Sequence, residues 1–171
     1  MFDETFKASG DPRLRDAARH FHEGYRLQMT GVLDPAVEEY RHSLESYPTA
    51  EAHTFLGWAL SLKGDLEGAI QECERAIELD PDFGNPYNDI GAYLMSQHKP
   101  QQAKPWFEKA KRAKRYDARH YPCFNLGRVY ELMGEWSAAE AEFIEALSFY
   151  PHYDSARESL KRVRSLLLRR N

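Results

Sequence analysis

The chain has 171 residues, of which 42% are hydrophobic and 29% are charged, and its formal net charge is −4. These values are typical of an ordinary soluble protein. They argue against a membrane-spanning chain, because no apolar run reaches the roughly 20 residues that a bilayer-crossing helix needs. The charge is unevenly distributed: residues 1–98 have a net charge of −10 and residues 99–171 a net charge of +6.

The N-terminal stretch "MFDETFKASGDPRL" has acidic residues and no apolar core, so it does not resemble a secretory signal. We therefore expect a cytoplasmic location. Residues 1–11 are predicted to form a mobile tail. Asp11 followed by Pro12 is a good helix start, which predicts a first helix from Pro12 to about Met29.

A repeat of about 34 residues runs through most of the chain. Glycines recur at intervals of 33, 34 and 36 residues, at Gly24, Gly57, Gly91 and Gly127. An alanine follows each glycine after twelve residues, at Ala36, Ala69, Ala103 and Ala139. A larger core-type residue follows each alanine after four more, at Tyr40, Cys73, Phe107 and Phe143. This spacing predicts pairs of closely packed helices in which small residues let the larger side chains approach.

The pattern resembles the tetratricopeptide repeat, most clearly in "YNDIGAYL" with "AKPWFEKA" and in "CFNLGRVY" with "AAEAEFIEA". The resemblance implies an all-α fold, a right-handed α-solenoid of four helix pairs. Residues 12–153 would hold the repeats, at about 17–49, 50–83, 84–119 and 120–153. Residues 154–171 have apolar residues on one stripe and basic residues on the other, which predicts a C-terminal capping helix.

Several local features refine this interpretation. Asp34 and Asp65 are predicted to cap second helices. Pro105 falls inside a second helix, which it should bend without ending it. The 36-residue interval predicts a longer turn around "RAKRYDARH". Cys73 and Cys123 fall within helical patterns and are expected to be buried thiols.

Catalytic and cofactor motifs are absent from the sequence, so we predict a protein that is not an enzyme and needs no cofactor. His20 and His22 do not form a metal site together, because residues two apart on a helix point in different directions. No metal site is predicted. The carboxylates of second helices, such as Glu67 and Glu72, are expected on a solvated face.

In tetratricopeptide proteins the first helices line a concave groove, which typically holds an extended or helical segment of a partner protein. The resemblance implies that the groove-facing positions here are Phe21, His22, Tyr25, Phe55, Trp58, Asn85, Asn88, Asp89, Tyr121, Phe124, Asn125 and Arg128. We expect the aromatic side chains to act as binding anchors and the amides to bond a partner's backbone. Arg128 can add a contact to a carboxylate. The sequence thus predicts a non-enzymatic adaptor that binds a peptide segment.

Two alternatives remain open at this point. The oppositely charged halves, together with Leu166 to Leu168 near the C-terminus, suggest a self-assembling scaffold, so a homo-oligomer is one possibility. The basic stretch 109–121 is a candidate for nucleic-acid binding, although a solvated helix end explains it more simply. Binding of the basic C-terminal helix to a membrane is not favoured, because a capping role already accounts for its pattern.

Overall fold

The structure, a computed structural model, describes residues 11–170, with side chains described for residues 11–169. The predicted tail therefore lies outside the described residues except for Asp11. Within the described range there are nine α-helices and one isolated bridge, between Phe83 and Arg115. The helices are α1 (Pro12–Met29), α2 (Leu33–Ser46), α3 (Ala50–Leu62), α4 (Leu66–Leu79), α5 (Gly84–Ser96), α6 (Pro100–Arg112), α7 (His120–Leu132), α8 (Trp136–Phe149) and α9 (Asp154–Arg170). The all-α prediction is confirmed.

The chain divides into two compact units. Unit 1 extends to Pro81 and contains α1 to α4, which pack as the pairs α1/α2 and α3/α4. Unit 2 begins at Asp82 and contains the pairs α5/α6 and α7/α8, with α9 packed against α8. Within residues 11–170, no helix is both long enough and apolar enough to cross a membrane.

Side-chain caps explain where several helices begin. Asp11 accepts a hydrogen bond from the backbone N–H of Arg13 at 2.9 Å, so α1 begins at Pro12 as predicted. Asp65 caps α4 in the predicted way, accepting from the N–H of Gly68 at 2.9 Å. The prediction for Asp34 was wrong: α2 begins one residue earlier, at Leu33, and Asp34 lies in its first turn. Proline is tolerated throughout a first turn, so the proline at position 35 does not define the start by itself.

In three of the four helix pairs an aromatic ring packs against a glycine, whereas in the pair α3/α4 Gly57 faces Cys73. A Cβ built on Gly127 would lie 2.5 Å from the ring of Phe143, and one built on Gly91 would lie 2.5 Å from the ring of Phe107. Both rings are fully buried. The repeat of glycine and large residue therefore encodes the contact between first and second helices.

The long turn between α6 and α7, residues 113–119, is ordered by its own contacts. Arg119 donates hydrogen bonds to the backbone carbonyl oxygens of Lys111 and Ala113, at 2.6 and 2.8 Å. Tyr116 is buried beside Gly84. The longer turn predicted from the repeat interval is thus present, and α6 continues through Pro105 as expected.

The C-terminal helix α9 packs against α8. Ala156 and Val163 are buried against the last repeat, and Arg164 pairs with Glu140 of α8 at 2.7 Å. Cys73 and Cys123 are buried free thiols, and burial raises the pKa of Cys123 to about 12.

Candidate functional site

A chain of polar side chains joins the first helices of unit 2. The Asn125 Nδ2 on α7 donates to the Asn88 Oδ1 on α5 at 3.1 Å. The Asn88 Nδ2 lies 3.4 Å from the Asp89 Oδ1 in turn. All three side chains are half-buried. Asn88 therefore links a predicted residue of its own repeat, Asp89, to a predicted residue of the next repeat, Asn125.

Aromatic rings lie beside this polar chain. Tyr121, with 46% of its surface exposed, packs edge-on against Tyr153 with 5.9 Å between ring centroids. Phe124 is half-buried, and its ring centroid lies 4.9 Å from that of Tyr153. The guanidinium of Arg128, which is exposed, lies 5.9 Å from the centroid of the Phe124 ring. The surface thus offers aromatic area and a positive charge close together.

We name this surface of unit 2 the aromatic–amide face. It consists of Asn88, Asp89, Tyr121, Phe124, Asn125, Arg128 and Tyr153. Tyr121, Asn125 and Arg128 follow one another at intervals of four and three residues, which places them on one side of α7. Its chemistry suits a segment that presents apolar side chains together with backbone hydrogen-bonding groups.

Asp89 is the carboxylate of the face, and burial raises its pKa from 3.8 to about 7. The hydrogen bond from Asn88 opposes this shift because it favours the ionised form. The carboxyl group therefore changes its charge within the physiological pH range.

Unit 1 presents a smaller aromatic surface. Tyr25 and Trp58 are 42% and 37% exposed, and both pack edge-on against the ring of Phe55, with centroid distances of 5.7 and 5.8 Å. We name Tyr25 and Trp58 the Tyr25–Trp58 pair. Two exposed rings supported by a buried one form a surface that is already ordered before a partner arrives.

Two residues predicted to face a groove belong instead to the core of unit 1. Phe21 is 2% exposed and Phe55 is 8% exposed, and their rings lie 5.2 Å apart. Both also pack against Tyr40. Their prediction as exposed anchors is therefore wrong, because the interior between the two helix pairs needs their volume.

The remaining predicted residues occupy less defined positions. His22 is exposed and lies edge-on to Phe21, at 5.8 Å between centroids, while Asn85 is half-buried. Tyr153 is not among the predicted residues, because it lies outside the positions that recur in the repeat. The signal was its position: it directly precedes the helix that caps the last repeat.

The basic stretch 109–121 is largely engaged in contacts within unit 2. Lys111 Nζ lies 2.7 Å from Glu142 Oε2 and 2.8 Å from Glu145 Oε2. The other contacts are Lys109 over Trp106, Lys114 with Asp82, Arg115 over Phe83, and Arg119 with backbone carbonyl oxygens. We do not carry the nucleic-acid alternative forward, because these cations hold the turn and its neighbouring helices together.

The prediction that Glu72 lies on a solvated face was wrong. Glu72 is 8% exposed and does not lie on a solvated face. Its Oε2 lies 2.6 Å from His53 Nδ1, and its Oε1 accepts from Arg75 at 2.6 Å. Glu72 is turned inward because the half-buried ring of His53 offers its carboxylate a hydrogen-bonding partner.

Comparisons with known proteins agree with the helical repeats described above. Family models described as tetratricopeptide repeat match residues 50–83 and 123–149. Tetratricopeptide repeat protein 21B of Xenopus laevis is 27% identical over 115 residues, which are 67% of this chain but 8% of that protein. The match therefore spans a small part of that relative's length.

Solved structures share the fold at low sequence identity. PilF of Pseudomonas aeruginosa matches with a TM-score of 0.84 and 21% identity, over 90% of this chain and 69% of that one. PilW, a type IV pilus biogenesis factor, matches with a TM-score of 0.79 and 19% identity, over 88% and 69%. MamA matches with a TM-score of 0.72 and 21% identity, over 86% and 80%.

Two segments of the chain match the tetratricopeptide repeat, and the chain has the all-α solenoid fold of the solved structures that it resembles. Such repeats point to a protein–protein interaction scaffold, and proteins built from them are generally non-enzymatic adaptors. The cytoplasmic location and the oligomeric state stay predictions.

Proposed function

We propose that the protein is a non-enzymatic adaptor that holds a peptide segment of a partner protein on the aromatic–amide face. The observation that carries this proposal is the hydrogen bond between Asn125 and Asn88, 3.1 Å long, which aligns two successive first helices. A segment that crosses both helices meets amides from each of them. An amide both donates and accepts, so it binds a backbone without requiring a particular side chain.

The aromatic side chains supply the contact area. Tyr121 and Phe124 sit beside the amides, and Tyr153 supports both rings. Tyrosine and phenylalanine lose little conformational entropy on binding, which suits them as anchors for an apolar side chain of the segment. Arg128 adds a contact to a carboxylate or to a carbonyl oxygen. A single short segment would bind with a dissociation constant on the order of micromolar.

The Tyr25–Trp58 pair is proposed as an additional anchor in unit 1. Both rings are more than one third exposed and rest on a buried ring, so they need no rearrangement to make contact. A partner with two binding segments could place one on the aromatic–amide face and the other on the Tyr25–Trp58 pair. The second contact would raise its overall affinity without changing the first.

Replacing Tyr121 and Arg128 together by alanine should lower the affinity for the partner segment by at least about tenfold, because exposed aromatic and arginine residues commonly dominate such interfaces. Both side chains are exposed, so helical content should not change. Fluorescence anisotropy with the labelled segment measures the effect, once the segment has been identified by affinity capture and mass spectrometry.

Ile144→Ala is the matched control, since Ile144 is 45% exposed on α8. It should bind like the wild type. Equal affinities for the wild type and the double variant, with the fold intact in both, would remove the aromatic–amide face as the binding site.

A further inference from the structure

Two histidines and a glutamate form a cluster that joins α1 to α2 in unit 1. His20 Nδ1 lies 2.6 Å from Glu39 Oε2, and the ring centroids of His20 and His42 are 5.2 Å apart. One ligand atom from each of the three residues lies within 4.8 Å of the other two. His20 and Glu39 are half-buried and His42 is exposed, so the cluster is open to solvent on one side.

The second repeat builds the equivalent cluster with an arginine. His53 Nδ1 lies 2.6 Å from Glu72 Oε2, again across 19 residues. Arg75 occupies the position that His42 has in the first repeat, 22 residues after the histidine. Its Nη1 donates to Glu72 Oε1 at 2.6 Å, so a permanent cation neutralises this carboxylate.

A lysine, Lys109, stands at the equivalent position of the third repeat, whereas the fourth repeat has Glu145 there. In the third repeat, Lys109 Nζ lies 4.4 Å from the centroid of the Trp106 ring. Near Glu145, Lys111 Nζ of the preceding helix pair lies within 2.8 Å of both Glu142 and Glu145. Glu142 and Glu145 also lie close enough to Cys123 Sγ to share an ion, but the ammonium group of Lys111 already forms an ion pair with each of them. The first repeat differs from the others because an imidazole, which is itself a metal ligand, stands at this position.

We propose that His20, Glu39 and His42 bind a divalent transition cation of the Zn²⁺ class. Two imidazole nitrogens and one carboxylate oxygen are a common ligand set for Zn²⁺, with a fourth position left for water. Bonds of about 2.0–2.2 Å place tetrahedral ligand atoms roughly 3.4 Å apart. The present spacing reaches this value through small side-chain rotations, which the exposed His42 is free to make.

Asp16 lies where it would orient His20 once an ion is bound. Its Oδ2 lies 3.9 Å from His20 Nε2 and accepts a hydrogen bond from Ser46 Oγ at 3.0 Å. When Nδ1 binds the ion, Nε2 carries the proton and turns toward this carboxylate, an arrangement common around zinc-bound histidines. Arg19 now donates to Nε2 at 2.8 Å, but its side chain is 67% exposed and also pairs with Asp16, so it can move away.

Titration of the full-length chain without an affinity tag, using ZnCl₂ and isothermal calorimetry, tests the site. The wild type should bind one Zn²⁺, and its melting temperature should rise because the ion ties α1 to α2. His42→Arg copies the arrangement of the second repeat and should therefore preserve the fold while weakening Zn²⁺ binding by at least about tenfold. Glu39→Gln should weaken it to a similar degree.

His22→Ala is the matched control, since His22 is an exposed histidine on the same helix outside the cluster. Its Zn²⁺ affinity should match that of the wild type. The proposal is overturned if the wild type takes up no Zn²⁺, or if His42→Arg and His22→Ala bind equally well. A sulfur-to-metal charge-transfer band on adding Co²⁺ would also overturn it, because that band would place the ion at a cysteine.

Discussion

Asp89→Asn should stabilise the protein increasingly as the pH rises, widening its advantage over the wild type by about 2–3 kcal/mol between pH 5 and pH 8. The pKa of Asp89 is about 7 in the folded chain against 3.8 in the unfolded one. Between these values the folded state binds more protons than the unfolded state, so wild-type stability falls as the pH rises through this window. Asparagine keeps the size of the side chain and is never charged.

Urea unfolding at several pH values between 5 and 8 measures this effect. Asp117→Asn serves as the control, because Asp117 is an exposed carboxylate of the same unit. Its stability curve should run parallel to that of the wild type. A constant difference between Asp89→Asn and the wild type across this range would show that burial does not hold the Asp89 proton.

Phe143→Ala should lower the free energy of unfolding by about 3–5 kcal/mol. The Phe143 ring is fully buried between α7, α8 and α9, packed with Ala139 and Val163. Its centroid lies 5.8 Å from that of Phe124. The truncation removes a large apolar surface and leaves a cavity that the fixed backbone of the helix pair cannot close. Ile144→Ala, one residue away but 45% exposed, should cost less than about 1 kcal/mol.

The Phe143 ring also explains why the repeat has a glycine at position 127. Gly127→Ala alone should cost about 1–3 kcal/mol, because the added Cβ meets the Phe143 ring at 2.5 Å. In the Phe143→Ala background this clash disappears, so Gly127→Ala should then be nearly neutral. A double-mutant cycle by chemical denaturation measures the coupling. Strict additivity of the two changes would contradict the proposed role of this contact.

Much of the fold can be predicted from the sequence, because it depends on contacts between residues that are close along the chain. The cap at Asp11, the glycine opposite Phe143 and the long turn before α7 each depend on residues close in sequence or one helix away. Such contacts repeat at a fixed interval, so one well-matched repeat predicts the others.

The candidate site was harder to predict than the fold. Helical periodicity shows on which side of its helix a residue lies, but it does not show which other elements pack against that side. Phe21 packs against Tyr40 of its own partner helix and also meets Phe55 across the interface between pairs. Tyr153 lies outside the repeat pattern. The cluster of His20 and His42 joins residues 22 apart on different helices, whereas helical spacing relates only residues of the same helix.

Site-specific photo-crosslinking in the native cell tests the central claim most directly. A photoreactive benzoylphenylalanine is placed in turn at Tyr121, at Arg128 and, as a control, at Ile144, and crosslinked peptides are identified by mass spectrometry. We expect positions 121 and 128 to capture the same segment of one partner protein, with little or no adduct at position 144. Adducts formed at position 144 and not at 121 or 128 would contradict binding on the aromatic–amide face.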